Sequence, residues 1–215
     1  MKLYVYDHCP YCVRARMPFG LKGIDFQLEF FLNDDVDGPT ALIGTKMVPI
    51  LAKDDGTYMA ESLDIVTFID QNFGEPVLAP SANRPELTDW LANAALNPLT
   101  MPRWVQAPLA EFATAGGVAY FTEKKEQSIG PFAERLANSA ELKEELNIKL
   151  VTLAAIIESP GAVNGTLSYD DILLFGHLRG ITIVGGLEYP SKVRAYLDTL
   201  SEQSGVPLYG SMAIA

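Results

Sequence analysis

The stretch YDHCPYCVRAR, residues 6–16, decides how the first part of this chain is interpreted. It continues a short apolar segment, residues 3–6, that is typical of a strand. Pro10 stands where a helix would begin, because its fixed φ suits the first helical position and its missing N–H would be unpaired there anyway. We therefore predict a strand followed directly by a helix over residues 10–21, with Cys9 as the helix N-cap.

Cys9 and Cys12 are the only two cysteines in the sequence. A sulfur at a helix N-terminus faces free N–H groups and the positive end of the helix dipole, which can lower a thiol pKa from about 8.5 to roughly 3.5–7.5. Cys12, one turn later, is placed to attack a mixed disulfide formed on Cys9. The spacing therefore predicts a thiolate nucleophile at Cys9 and a second thiol that completes an exchange reaction.

Two other interpretations of the cysteine pair compete with a redox dithiol. A structural zinc site needs about four ligands, yet the chain offers two cysteines and two histidines, and His177 lies far from His8 in the sequence. Inert core thiols are common for isolated cysteines, but a pair that follows a strand and opens a helix has the context of a redox motif. The redox interpretation is favoured, and no metal is predicted.

Composition limits the partners of the chain. Its 215 residues are 48% hydrophobic, which can supply a real core, and 16 basic against 27 acidic residues give a net charge of -11. Such a charge discourages nonspecific binding to nucleic acid or anionic membranes. No segment is long and apolar enough to span a bilayer, and the charge at Asp7 precedes any signal-peptide core. We expect a cytoplasmic protein, in which a structural disulfide would not persist.

The pattern beyond the first helix predicts two domains. Further strands and short helices follow up to a helix with an apolar stripe, for which Ser62 is the expected N-cap. We place an α/β domain at residues 1–73 and a linker at residues 74–85, where three prolines interrupt the periodicity. Residues 86–215 show almost only helical periodicity, so the second domain is expected to be all-helical.

These ordered motifs together resemble the bacterial glutaredoxin 2 family, which consists of glutaredoxins built like a glutathione transferase. The resemblance covers essentially the full chain. It rests on Cys-Pro-Tyr-Cys-Val-Arg-Ala-Arg after a short strand, Met47-Val48-Pro49-Ile50, Glu61-Ser62 opening a helix, and the all-helical second half. It implies a thioredoxin-like α/β N-terminal domain, an all-α C-terminal bundle, and glutathione-dependent reduction of disulfides.

The resemblance also implies roles for individual residues. Cys9 is the nucleophile and Cys12 the resolving thiol, while Tyr11 flanks bound glutathione. Val48-Pro49 is a cis peptide, which lets the backbone of Val48 pair with the cysteinyl part of glutathione as an added strand does.

Glu61 and Ser62 have a physical case besides the resemblance. Free N–H groups at a helix N-terminus bind a carboxylate, and the γ-glutamyl end of glutathione offers one. Glu61 is then expected to meet the neighbouring α-ammonium group of glutathione. Ser62 could cap the helix at the same time, because its N–H and its hydroxyl are separate groups.

Other noticeable residues are assigned structural roles. Pro10 starts the first helix, and Ser168 and Asp171 stand three apart as in a capping box, a helix-start motif shared with transferase-like proteins. Arg14 and Arg16 on the first helix are expected to be solvated surface charges. Trp90, Trp104 and Tyr120 are expected to pack within the helical bundle, and His177 to be a packed or surface histidine.

Asp7 and His8 fit the resemblance least well, because many small glutaredoxins carry a basic residue shortly before the first cysteine. A negative Asp7 would raise the pKa of the Cys9 thiol if its carboxylate pointed towards the sulfur. Activation of Cys9 is then expected to depend on the helix terminus.

Three rival functions remain open on the sequence. A glutathione transferase shares the two-domain plan, but conjugation has no use for a second cysteine. A glutathione-ligated iron–sulfur carrier would use Cys9 across a dimer, and a noncatalytic interaction protein would not bind glutathione. The favoured interpretation is a monomeric oxidoreductase with glutathione as co-substrate and disulfide-containing or glutathionylated proteins as partners.

Overall fold

The computed structural model describes residues 1–94 and 96–215. The first part of the chain forms four strands and three helices. They are β1 (Lys2–Val5), α1 (Pro10–Leu21), β2 (Gln27–Phe30), α2 (Asp37–Ile43), β3 (Ile50–Ala52), β4 (Tyr58–Met59) and α3 (Ser62–Asn72). The predicted bounds of α1 agree with the structure, because Pro10 is a local start signal that needs no tertiary partner.

The four strands form one mixed sheet in the order β2-β1-β3-β4. β1 runs parallel to β2 and antiparallel to β3, and β4 is antiparallel to β3. Leu3 and Val5 of β1 point into a core that also contains Cys12 and Phe19 of α1 and Ile65 of α3. The sheet therefore buries one flank of α1, including the second cysteine.

The second part of the chain is helical. It contains α4 (Pro85–Asn93), α5 (Asn97–Trp104), α6 (Ala115–Ile129), α7 (Phe132–Ala137), α8 (Ser139–Ile156), α9 (Tyr169–Ile181) and α10 (Ser191–Ser204). Two single turns of 3-10 helix add to these, at Ala110–Phe112 and Gly210–Met212. The fold class predicted from the sequence, a thioredoxin-like α/β domain followed by an all-α bundle, is confirmed. Among the described residues, no helix combines the length and the hydrophobicity that a membrane-spanning segment needs.

Helix α1 packs between the sheet and the helical domain. Every residue from Cys12 to Phe19 is buried. A side chain at Gly176 of α9 would place its Cβ 2.9 Å from Arg14 Cγ and 3.0 Å from the Pro10 carbonyl oxygen. Glycine therefore permits the close approach of α9 to the start of α1, which is where Cys9 lies.

The segment between the domains, residues 74–85, is attached to the helical domain. Ala79 forms an isolated parallel bridge with Ser168. The carboxylate of Asp170 accepts hydrogen bonds from the Ser81 hydroxyl at 2.5 Å and from the Ala82 N–H at 2.9 Å. These contacts hold the segment against the start of α9.

The buried carboxylate of Asp171 caps the N-terminus of α9. Its carboxylate accepts hydrogen bonds from the Ser168 N–H at 2.8 Å, the Val163 N–H at 2.6 Å and the Tyr196 hydroxyl at 2.9 Å. Burial raises the pKa of Asp171, and these hydrogen bonds oppose that shift. The carboxylate joins the loop before α9, α9 itself and α10, as expected for a structural residue.

Asp7, which follows β1, pairs with two buried arginines. Its carboxylate accepts hydrogen bonds from Arg179 Nη2 at 2.8 Å and from Arg16 Nη1 at 2.7 Å. Its backbone carbonyl accepts from Arg179 and, at 3.0 Å, from the Tyr209 hydroxyl. Burial alone would raise the pKa of Asp7, but the two guanidinium groups outweigh burial and lower it. These contacts tie the turn before α1 to α9 and to the C-terminal segment.

We expect Asp7→Asn to lower the free energy of unfolding by about 3 kcal/mol near neutral pH, because it leaves buried arginines without their counter-charge. The folded-state pKa of Asp7 lies below its ordinary value of 3.8. The contribution of the ionised carboxylate is therefore fully present above about pH 4 and is lost as the pH falls through the folded-state pKa. Urea unfolding of wild type and variant should show a constant difference from about pH 7 to about pH 5 that shrinks below about pH 4.

Asp198→Asn is the matched control, because it removes an exposed carboxylate paired with Arg194 one turn away on α10. This variant should lose at most about 0.5 kcal/mol. Equal losses for the two variants would show that the Asp7 pairs contribute no more than a surface ion pair.

Candidate functional site

A cleft of about 490 Å³ lies between the two domains, and Cys9 is at its surface. The α/β domain contributes Cys9, Pro10, Tyr11 and Val48 to its walls. The helical domain contributes Trp104, Tyr120 and His177 among others. Trp104 and Tyr120 were expected to pack within the bundle; the structure shows that they also face this cleft, which forms only when the two domains meet.

Cys9 occupies the N-cap of α1 with extended backbone angles, φ −73° and ψ 120°. Its pKa is lowered to about 6, mainly by a hydrogen bond with the Cys12 thiol. The positive charge of His8 and the backbone N–H groups of Tyr11 and Cys12 lower it further, and burial opposes them. At neutral pH Cys9 is therefore largely a thiolate.

Cys12 is fully buried beneath Cys9. Burial, together with the hydrogen bond to Cys9 and the negative charge there, raises the pKa of Cys12 well above its ordinary value. The Tyr6 N–H donates to its sulfur at 3.4 Å. The two thiols therefore have opposite protonation states at neutral pH, as a nucleophile and a proton-bearing partner require.

His8, which precedes the nucleophile, contacts a buried glutamate of the helical domain. Glu111 Oε1 is 2.6 Å from His8 Nδ1 and accepts the His8 backbone N–H at 2.8 Å. Burial alone would raise the pKa of Glu111, but its hydrogen bonds and the charge of His8 outweigh burial and lower it. The imidazole also packs against Trp104 and Phe112, with ring centroids 5.0 and 5.1 Å away. Glu111 thus holds the imidazole of His8 in place beside Cys9, and the sequence offered no signal for this partner 103 positions away.

Asp7 does not act on the nucleophile as the sequence suggested it could. Its carboxylate is engaged by Arg16 and Arg179, so its charge is compensated. Arg16 was expected to be a solvated surface charge, and that expectation is wrong: its side chain is 7% exposed.

Arg14 is also buried, contrary to the expectation of a solvated charge. Its guanidinium lies 4.7 Å from the centroid of the exposed Tyr11 ring and donates to His177 Nε2 at 2.8 Å. Burial and the charge of Arg14 lower the pKa of His177 to about 4. His177 is therefore neutral at physiological pH, and Arg14 orients the tyrosine beside Cys9.

The two remaining segments of the predicted glutathione site have unusual backbones. The Val48–Pro49 peptide is cis, as the resemblance implies. Glu61 has φ 66°, a left-handed value uncommon for a residue with a side chain. Glu61, and not Ser62, is the N-cap of α3, so the predicted capping role of Ser62 is wrong and Ser62 is the first helical residue. A left-handed residue with a side chain, such as Glu61, is a kind of backbone outlier that clusters at functional sites.

The structure brings part of the predicted site together in the cleft. Cys9, Pro10, Tyr11 and Val48 line it, and Cys12 lies buried directly behind Cys9. Glu61 and Ser62 are not among the lining residues and lie at the start of α3. Ser168 and Asp171 are at the start of α9. The described residues contain no cluster of three or more His, Cys, Asp or Glu side chains that could hold a metal ion.

Comparison with known proteins identifies the family. Residues 86–213 match the family described as "Glutaredoxin 2, C terminal domain", and residues 3–77 match "Glutathione S-transferase, N-terminal domain". Glutaredoxin 2 of Escherichia coli strain K12 is 47% identical over 216 residues, which cover 100% of both chains. The chain belongs to the glutaredoxin 2 family. This membership confirms the resemblance and supports the prediction of a glutathione-dependent oxidoreductase.

Solved structures agree with the glutaredoxin 2 assignment. The crystal structure of Glutaredoxin 2 from Salmonella typhimurium in complex with glutathione matches with a TM-score of 0.96 at 46% identity, covering 99% of this chain and 98% of that one. A glutathione S-transferase of Ceriporiopsis subvermispora in complex with glutathione has a TM-score of 0.71 at 15% identity and covers 96% of this chain and 97% of that one. The second likeness concerns the fold alone.

We expect alkylation of Cys9 by iodoacetamide to titrate with a midpoint near the pKa of about 6, and Cys12 to stay unmodified at neutral pH. His8→Gln should raise the midpoint, because it removes the positive charge that favours the thiolate. Thiolate absorbance in the ultraviolet and alkylation rates measured over a pH series would both report the change.

His177→Gln is the matched control, since His177 carries no charge above its pKa of about 4. This second histidine variant should leave the Cys9 midpoint in place. If both histidine variants shift the midpoint equally, the charge of His8 is not what lowers the pKa of Cys9.

Proposed function

We propose that this glutaredoxin 2 family member reduces glutathione-mixed disulfides and protein disulfides through the Cys9–Cys12 dithiol. The observation that carries the proposal is the unequal pair at the start of α1. One thiol has its pKa lowered to about 6 at the surface of a cleft, and the other is buried with its pKa raised. Disulfide exchange needs this asymmetry, because the thiolate attacks and a second thiol resolves.

We further propose that glutathione binds along the α/β wall of the cleft. The backbone of Val48, next to the cis peptide, pairs with the cysteinyl unit as an added strand does. The N-terminus of α3 at Ser62 receives the γ-glutamyl carboxylate, and Glu61 meets the neighbouring ammonium group. Tyr11, whose ring centroid lies 4.7 Å from the guanidinium of Arg14, flanks the bound glutathione.

The reaction with a glutathione-mixed disulfide proceeds in two exchanges. The Cys9 thiolate attacks the glutathione sulfur, the S–S bond to the second thiol breaks, and that thiol leaves as a thiolate that takes up a proton. A second glutathione thiolate then attacks the glutathione sulfur on Cys9, which releases oxidised glutathione and restores the Cys9 thiolate.

With a protein disulfide, Cys12 takes over the second step. Burial, the hydrogen bond that the Cys12 thiol donates to Cys9 and the charge of the Cys9 thiolate all raise the pKa of Cys12. The last two causes disappear once Cys9 forms a mixed disulfide, so the pKa of Cys12 falls when its thiolate is needed. Cys12 then attacks Cys9, the substrate leaves as a dithiol, and two glutathione molecules reduce the Cys9–Cys12 disulfide.

The remaining sequence-based expectations are part of the same proposal. We propose a monomer that acts in the cytoplasm, with residues 1–73 and 86–215 as its domains and residues 74–85 as their linker. The charge of -11 supports partners other than nucleic acid and membranes.

We expect Cys9→Ser to abolish reduction of both kinds of substrate, because a serine hydroxyl is not a thiolate nucleophile. Cys12→Ser should keep reduction of a small glutathione-mixed disulfide and lose reduction of a protein disulfide, because only the second reaction needs a resolving thiol. A coupled assay that follows oxidised glutathione would measure both activities.

Parallel assays separate the rival functions. Conjugation of glutathione to an aromatic electrophile by wild type and Cys9→Ser would reveal a transferase, for which the thiol pair is not needed. A brown colour on anaerobic purification would point to an iron–sulfur carrier, and failure to bind glutathione would point to an interaction protein. Full disulfide reductase activity of Cys9→Ser would refute the proposed nucleophile.

A further inference from the structure

The cleft beside Cys9 has a charge opposite to that of the whole protein. The chain carries a net charge of -11. The described residues that line the cleft nevertheless include three lysines and no aspartate or glutamate, the lysines being Lys46, Lys124 and Lys125. A cleft lined by charges of one sign raises the local concentration of ligands of the opposite sign.

These three lysines have no carboxylate partner among the described residues. Lys46 donates to the Asn33 carbonyl and lies 3.6 Å from the centroid of the Tyr120 ring. Lys124 approaches the Tyr120 hydroxyl at 3.4 Å. Their positive charges are therefore not neutralised within this part of the structure.

The pKa of Tyr120 reflects a positive electrostatic potential at this part of the cleft. Hydrogen bonds from Lys46 and Lys124, and the positive charges of the two lysines, lower the pKa of its phenol. The same potential that favours a phenolate favours any other anion placed near that hydroxyl.

Two of the lysines belong to the helical domain. Lys124 and Lys125 lie on α6 and line the same cleft as Val48, to which the proposed glutathione site belongs. If glutathione binds along the α/β wall, the side chains of α6 can contact the other half of the disulfide.

We propose that Tyr120, Lys124 and Lys125 form a subsite for the second thiol of the exchange, and that this subsite selects thiols carrying a carboxylate. Its occupant is the group bonded to the glutathione sulfur before Cys9 attacks, or the glutathione that later attacks the Cys9–glutathione disulfide. The inference rests on the proposed function and adds a substrate class to it.

The first arm of the test measures the attack by Cys9. It uses glutathione-mixed disulfides of 3-mercaptopropionate, 2-mercaptoethanol and cysteamine, whose variable halves are anionic, neutral and cationic. In a Cys12→Ser background, mass spectrometry measures the second-order rate constant with which each disulfide glutathionylates Cys9. The rate constant for the anionic disulfide is divided by that for the cationic disulfide, and this ratio is compared between the lysine variants and the protein without them. The comparison cancels the intrinsic reactivity of each leaving group.

Lys124→Glu and Lys125→Glu should each lower that ratio by about threefold or more at low ionic strength, and the effect should shrink in about 1 M salt, where charges are screened over about 3 Å. Lys192→Glu makes the same charge change at an exposed position of α10 that does not line the cleft. This control should leave the ratio unchanged.

The second arm identifies the source of the carboxylate. Preformed Cys9–glutathione disulfide is reduced with glutathione or with its dimethyl ester, and glutathionylated peptides with acidic or basic flanks replace the small disulfides in the first step. An effect of Lys125→Glu on the preference for free glutathione over its ester assigns the subsite to the second glutathione. An effect on the acidic peptide alone assigns it to protein substrates.

Several outcomes would overturn the proposal. If the lysine variants slow all three small disulfides equally, the lysines act on the constant glutathione half and the subsite does not exist. A ratio changed equally by Lys192→Glu would mean that only the net charge matters. If wild type reduces the three disulfides but no variant changes the ratio of the rates, the oxidoreductase function is supported and the subsite is refuted. If wild type reduces none of the three disulfides, the proposed function is refuted as well.

Discussion

The buried contact between Asp7 and Arg179 holds the rest of the site in position. Asp7 lies two residues before Cys9, and both its carboxylate and its carbonyl oxygen accept hydrogen bonds from Arg179. Arg16 balances the same carboxylate from α1. Because α9 supplies Arg179 and the sheet leads into Asp7, this one contact sets where the start of α1 meets the helical domain. The cleft and the position of Cys9 within it depend on that arrangement.

The helical domain contributes to the chemistry and does not only support the fold. Glu111 reaches the imidazole of His8, and Gly176 lets α9 approach the start of α1. The lysines of α6 add positive charge to the cleft that Val48 also lines. An isolated α/β domain would retain the helix terminus and the cysteine pair, but it would lose Glu111, the hydrogen-bonding partner of His8, and one wall of the cleft.

The two cysteines differ because of a displacement of one helical turn. Cys9 precedes the helix and meets its free N–H groups, whereas Cys12 points into the apolar core beneath the sheet. Each thiol then acts on the other, since their shared hydrogen bond stabilises the Cys9 thiolate and holds the proton on Cys12. The order of the exchange steps follows from this difference in environment.

Sequence alone determined the features that depend on local chemistry. Pro10 marks the start of α1, Cys9 falls at its N-cap, and the three-residue spacing of Ser168 and Asp171 places the start of α9. The ordered motifs were sufficient to identify the family and the two-domain fold. The capping of α3 was predicted wrongly, because Glu61 adopts a left-handed backbone conformation that no sequence pattern here announced.

Only the tertiary structure decided the electrostatics of the site. Arg14 and Arg16 look like surface charges in the sequence, yet their hydrogen-bonding partners His177 and Asp7 are brought beside them as the chain folds. Glu111 meets His8 across 103 positions, a separation over which helical and strand periodicity carry no information. The periodicity of a sequence indicates which face of a helix or strand is buried. The Coulomb energy of a charge depends instead on its distances to charges on other elements, and those distances are set only when the two domains pack together.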